Sequence, residues 1–246
     1  MTQFFQNLDW SILIGALITA VPALLCISLH ELAHGYTAYR LGDPTAKMMG
    51  RLTLNPLKHI DPIGLLMMVV VRFGWAKPVP VNMSYFKKPK LGMAITAIAG
   101  PISNIIIAFF FILVLAIITT PLANSIGVKD TDLLAYRYLT NSVPESVSEF
   151  FYQLVSRAAH ISIILAVFNL FPIPPLDGSK VLLSFLPEQT YYKLMKYERF
   201  GFIILVLLMF TDFFQSTIGH LTSILFFTPL QFLGVISPEF YTYLIS

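Results

Sequence analysis

Two histidines four residues apart, the first followed directly by a glutamate, stand at His30, Glu31 and His34 in the stretch SLHELAHGYTAYRLGD. On a helix, positions i and i+4 share a face. Both imidazoles can then reach one zinc ion, while Glu31 projects near enough to handle a proton. From this chain's own His and Glu usage, chance would yield the pattern about 0.002 times. Two core histidines on one helix face is the other explanation. It leaves unexplained why a glutamate sits beside them near a membrane, where ionisable groups are costly and usually functional.

A catalytic zinc site takes three protein ligands and keeps one position open. Cys26 lies one turn before His30, but three ligands in line along a single helix do not easily close a tetrahedron. It reads instead as a small packing thiol. Asp177, in NLFPIPPLDG at 169–178, is the better candidate. Pro172, Pro174 and Pro175 interrupt a helix there, and Gly178 permits a sharp turn, so Asp177 is offered from a non-helical end. Taken alone, Asp177 could equally cap a helix starting at Ser179. His30 and His34 on the same side of the membrane favour the ligand role.

The elements that must position these groups are apolar. Of 246 residues, 56% are hydrophobic and 12% are charged, about half the charged share of a soluble domain. Mean hydropathy is +0.74. The surface therefore faces a bilayer. A net charge of +3, scattered along the chain, is too small for nucleic-acid binding, and a single cysteine excludes an intrachain disulfide and a cysteine-rich zinc site. The first ten residues hold no Lys or Arg, so the first apolar run is expected to stay as a membrane helix and not to be removed.

Spans are expected at 11–29, 91–128 and 158–176, and a further pair at 200–211 and 213–238, flanking Asp212. The run PIGLLMMVVV at 62–71 rises only ~15 Å as a helix, half the hydrocarbon thickness, and is expected to be re-entrant or to stop partway, unless it tilts and recruits residues up to Trp75 to span. Arg40, Lys47, Arg51 and Lys58 on one flank, and Lys77, Lys87, Lys88 and Lys90 on the other, place both flanks on the cytoplasmic side. The stretch 180–199, with Lys180, Lys193, Lys196 and Arg199, returns there. The expected fold is an all-α polytopic membrane protein with about five transmembrane helices and a re-entrant segment, amino terminus outside and carboxyl terminus inside. His30, His34 and Asp177 then meet near the inner face. GRLTLN at 50–55 and KPVPVN at 77–82 alternate like short strands. They are expected to form a short β-hairpin near the active site that receives an unwound substrate by strand addition.

HELAH in an early membrane helix, AGPISN at 99–104 in the next long span and FNLFPIPPLDG at 168–178 in the one after together resemble the site-2 protease family of intramembrane zinc metalloproteases. GDPTAKMMGRLTLNPLKHIDPIG and GWAKPVPVN resemble its compact prokaryotic branch, which lacks a PDZ or CBS domain. The similarity runs from about residue 20 to 190. It implies a catalytic membrane core, set at 1–190, and the apolar runs beyond it are expected to form a carboxyl-terminal pair of membrane helices within 191–246. It implies one zinc ion held by His30, His34 and Asp177, with Glu31 as catalytic acid/base. Asn104 and Asn169 would line the site as substrate or oxyanion contacts, although each could equally make an interhelical hydrogen bond. The implied partner is a membrane protein with a transmembrane segment, cut within or next to that segment, in a prokaryotic cell membrane. A non-proteolytic zinc-binding or metal-carrier protein is the alternative. It gives no use for Glu31, and the charged groups cluster at one inner end and do not line a path. His59 is expected in an interfacial loop, and His160 and His220 as packing or interfacial residues.

Overall fold

The computed structural model describes residues 10–64, 76–125, 144 and 146–245. The chain is mostly helical. Helix α1 (Trp10–Arg40) is followed by the single turn α2 (Thr45–Met48), then α3 (Pro89–Ser125) and α4 (Val147–Leu170). After these come α5 (Asp177–Ser184), α6 (Glu188–Met195), α7 (Glu198–Met209), α8 (Asp212–Phe232) and α9 (Pro238–Ile245). Among the described residues, three helices are long and apolar enough to cross a membrane, over Ile14–Arg40, Pro89–Thr119 and Val147–Leu170. A fourth span is counted if Phe200–Met209 and Asp212–Phe232 act as one, bent by 80° at their break. The last two expected spans are thus a bent pair. The 12-residue α7 rises only ~18 Å, too short to cross alone.

Span boundaries differ from the expected ones for local reasons. Helix α1 does not stop at residue 29; it carries the HELAH turn inside it and runs on to Arg40. It ends where Gly42, at φ 109°, lets Asp43 N–H reach the Ala38 carbonyl (2.9 Å) and Gly42 N–H the Tyr39 carbonyl (3.1 Å). This is the paired closure of a Schellman motif. Helix α4 begins at Val147, before Arg157, and takes Glu149, Gln153 and Ser156 into buried positions. Charge alone does not bound a span when the helix turns those groups towards protein. Helix α3 shows how one sequence serves both solvents. Ala97, Gly100, Asn104 and Ala108 are buried, while Ile102, Ile106, Phe109, Phe110 and Ile117 are exposed as a lipid-facing side.

The described residues divide into two compact units, each assembled from separate stretches. One holds the described residues up to Leu24, those of Ala108–Ile161 and those from Ser223 onward. There His160 stacks on Phe226, with ring centroids 5.0 Å apart. The other holds the described residues of Leu25–Ile107 and Ser162–Thr222 and contains every candidate site residue. Leu176, Leu205 and Phe214 form its buried cluster, packed by Phe168, Phe171 and Ile173. In a bilayer such packing gains by dispersion and shape fit more than by exclusion from water.

The expected hairpin is not formed among the described residues. Ile60 and Ala76 make one antiparallel bridge, and 50–55 does not pair with 77–82. Pro78 and Pro80 remove two N–H groups from any ladder, and backbone groups of 76–82 pair instead with the side chains of Arg51, Glu31 and Asp43 and, from Lys77 N–H, with the His59 carbonyl. Residues 76–82 therefore run as an extended strap. Of the expected re-entrant stretch 62–71, residues 65–71 lie outside the described residues. Its start, Pro62–Gly64, is a helical turn, with Asp61 Oδ1 accepting from the N–H groups of Ile63 and Gly64, both at 2.9 Å.

Candidate metal centre and active site

His30 and His34 project from one face of α1, as their spacing requires, with their rings edge to face at 4.6 Å. Asp177 reaches them from the first turn of α5. After α4 ends at Leu170, the proline-rich segment turns the chain, and Leu176, not Asp177, takes the N-cap position without a side-chain bond. Ser179 Oγ donates to the Leu176 carbonyl at 2.6 Å. The Asp177 carboxylate is thus released from capping. Gly178 is needed for a different reason from the expected turn. A Cβ there would fall 2.2 Å from the Leu170 carbonyl oxygen, so only glycine lets α5 start against the end of α4.

The three ligand atoms form a triangle. His30 Nε2 and His34 Nε2 are 3.0 Å apart, and Asp177 Oδ2 lies 3.2 Å from the first and 3.0 Å from the second. Zinc–ligand bonds of about 2.0–2.1 Å in a tetrahedron require edges of roughly 3.3 Å, so the triangle fits one ion within a few tenths of an ångström. The outer nitrogens agree. His34 Nδ1–H donates to the Thr96 carbonyl at 2.8 Å, which leaves the Nε2 lone pair free to bind. Asn104, fully buried on α3, places its side-chain amide 3.0 Å from His30 Nδ1, and its Oδ1 has no partner. A side-chain amide is nearly symmetric in shape. The orientation with Oδ1 accepting from His30 Nδ1–H gives that N–H an acceptor and frees the second Nε2 lone pair.

Burial alone would push the pKa of Asp177 up, because it disfavours the charged carboxylate. Contacts to His30 and His34, with the Lys180 ammonium 3.6 Å away, hold its carboxyl well below the usual carboxylate range. A carboxylate oxygen and two imidazole nitrogens together are a donor set suited to a divalent cation. Glu31 is half-buried beside the triangle and accepts a hydrogen bond from Val79 N–H at 2.9 Å through Oε2. These groups open on a cavity of about 770 Å³, walled by the strap, by Thr96 and Met93 of α3, by Phe168 of α4 and by Leu205 of α7.

The remaining sequence candidates fall apart from the metal triangle. Asn169 lines the cavity, and its amide donates to the Leu165 carbonyl of its own helix at 2.9 Å. Asn104 does not line it; it stands behind His30. Cys26 accepts from Ser162 Oγ at 3.1 Å, across to α4. His59 is buried, not interfacial. Its Nε2 lies 2.9 Å from the Thr53 carbonyl, and its own carbonyl accepts from Lys77 N–H at 2.9 Å. His220 is exposed.

Gly100 escaped the sequence reading. A Cβ there would lie 2.4 Å from His34 Nε2 and 2.6 Å from His30 Cε1, so α3 can approach the imidazoles only with hydrogen at this position. A glycine inside a 37-residue helix was the available signal, because it costs about 1 kcal/mol against alanine and calls for a packing reason.

A glutamate and an open cavity beside a preformed His-His-Asp triangle, carried on helices fit for a bilayer, define a membrane-embedded metallohydrolase. Residues 18–211 match the model of Peptidase family M50. A Bacillus subtilis (strain 168) protein provisionally named zinc metalloprotease YwhC is 40% identical over 193 residues, 78% of this chain and 79% of that protein. A Mycolicibacterium smegmatis protein provisionally named zinc metalloprotease Rip2 is 28% identical over 203 residues, 80% of this chain and 69% of that one. No solved structure matches. The chain belongs to Peptidase family M50, the site-2 protease family. It is an integral membrane zinc metalloprotease.

Proposed function

We propose that His30, His34 and Asp177 hold the single zinc ion and that Glu31 is the general acid/base for cleaving peptide bonds within or next to transmembrane segments of other membrane proteins. The observation that carries this is the closed triangle of ligand atoms with the Glu31 carboxylate beside it on one cavity. Zinc, when bound, supplies a Lewis acid and a water that ionises near neutral pH. Thr96 and Asn104 fix the two imidazoles from behind, so that both Nε2 atoms face the same point. Glu31 takes a proton as the water oxygen bonds to the scissile carbonyl carbon. It returns that proton to the amide nitrogen as the C–N bond breaks. Asn169 on the cavity wall is placed to donate to the substrate carbonyl once it turns from Leu165. The basic loops support an active site towards the cytoplasmic face of a prokaryotic cell membrane.

The test compares new amino termini in membranes of cells carrying the native protein or Glu31→Gln. Termini inside predicted spans that disappear with Glu31→Gln, while zinc content is kept, support the reading. Identical termini in the two strains, with both proteins expressed and metal-loaded, overturn it.

A further inference from the structure

Arg51 has no part in the mechanism above, yet it is buried at 6% exposure. Among the described residues no carboxylate lies within ion-pair distance of it, and its Nε has no hydrogen-bond partner. A buried guanidinium without a counter-charge is costly, so what it does bind is informative. Its Nη2 donates to the Lys77 carbonyl at 2.6 Å and to the Pro78 carbonyl at 3.3 Å.

The Pro78 carbonyl and the Val79 N–H are the two ends of one peptide group. Its N–H end donates to Glu31 Oε2 at 2.9 Å. Arg51 and Glu31 thus grip opposite ends of a single peptide plane. A cation on the carbonyl draws electron density towards oxygen and makes the N–H a stronger donor. The plane is also immobilised. Pro78 and Pro80 fix φ on either side of Val79 and leave its N–H as the only donor between Lys77 and Val81. The strap is tied at one end by Lys77 N–H to the His59 carbonyl (2.9 Å) and at the other by Asn82 N–H to Asp43 Oδ2 (2.7 Å).

We infer that Arg51 is a positioning residue for the catalytic glutamate. It acts through the Pro78–Val79 peptide to hold Glu31 Oε2, leaving Oε1 free for proton transfer. The inference rests on the assignment of Glu31 above. Three torsions separate that carboxylate from α1 in a roomy cavity, and the Val79 N–H is its one anchor among the described residues. A base held in place gains in the chemical step more than in substrate binding.

The probe is a fluorophore–quencher peptide of whichever span loses its new amino terminus with Glu31→Gln in the comparison above. Zinc content, kcat and KM are measured for the native holoprotein, Arg51→Gln, Arg51→Lys, Val79→Pro and the Arg51→Gln/Val79→Pro double variant. Val79→Pro deletes the anchoring N–H without touching Arg51. The expected result is full zinc content throughout, and kcat lower by about 10- to 100-fold in Arg51→Gln and in Val79→Pro with KM little changed. Arg51→Lys recovers most of the loss, and the double variant is no slower than the slower single one, because both act on one contact. Unchanged kcat in Arg51→Gln and Val79→Pro overturns the inference and leaves the Glu31 assignment standing. So does a rise in KM alone, or losses that multiply in the double variant. If no terminus depends on Glu31, the assignment and the inference fall together.

Discussion

Gly100→Ala changes no polar atom, yet it should empty the metal centre. The new methyl carbon would lie 2.4 Å from His34 Nε2, 2.5 Å from His34 Cε1 and 2.6 Å from His30 Cε1. Ordinary carbon contacts begin near 3.4 Å, so the two imidazoles or the whole of α3 must retreat by about 1 Å. Metal–ligand bonds tolerate displacements of about ±0.2 Å. A misplacement near 1 Å at a reacting centre costs about 10²-fold in rate, and zinc affinity should drop at least as far. The helix itself pulls the other way, because alanine is favoured over glycine in a helix interior by about 0.5–1 kcal/mol. Zinc affinity, measured by competition with a chelator of known strength in detergent, should therefore fall, while the metal-free protein loses only modest thermal stability, because an overpacking cost of about 1–3 kcal/mol is partly offset by the helix gain. Native zinc affinity and native cleavage in Gly100→Ala would refute the close approach of α3 to the histidines. A collapse of metal-free stability would refute the claim that the damage is confined to the site.

Four further outcomes follow from the same geometry. His34→Ala and Asp177→Ala should lose bound zinc, whereas Glu31→Gln should retain it and lose cleavage; metal content and peptide cleavage in parallel decide this. Asn104→Leu should weaken zinc binding by about 10- to 100-fold through a poorly oriented His30, without introducing a clash at the cavity, and chelator competition measures it. Zinc should dissociate as the solution is acidified, because protons compete with the metal for the two Nε2 lone pairs, and metal content across a falling pH series measures it. The Asp177 carboxyl is held well below the usual carboxylate range and is the last of the three ligands to take a proton. The sign for Asp177 itself is separate. Its folded value is depressed, so the stability it gives the metal-free protein is present above about pH 4 and lost as pH falls further. Thermal unfolding of metal-free native protein and Asp177→Asn between pH 3 and pH 6 should show that acid-side loss only in the native chain.

The sequence by itself determined the membrane class, the metal chemistry and the three ligand candidates. Local rules carry that information: a charge-poor composition, the i and i+4 spacing of His30 and His34 on one helix face, and prolines that end a helix just before Asp177. It marks span ends poorly, because a charged residue does not stop a helix that can turn it towards protein. Helix α1 stops where Gly42 closes it, and α4 takes Glu149 and Arg157 into its length. The hairpin reading failed because alternation in 50–55 and 77–82 describes extended backbone without saying what pairs with it. Only the tertiary structure decided that the strap's hydrogen bonds go to Arg51, Glu31 and Asp43, residues that lie 26 to 48 positions away in the chain. It also decided that Asn104 stands behind His30 and that Gly100 is the point where α3 meets the imidazoles. Contacts between segments far apart in sequence leave no periodicity to read; they exist only once the helices are packed.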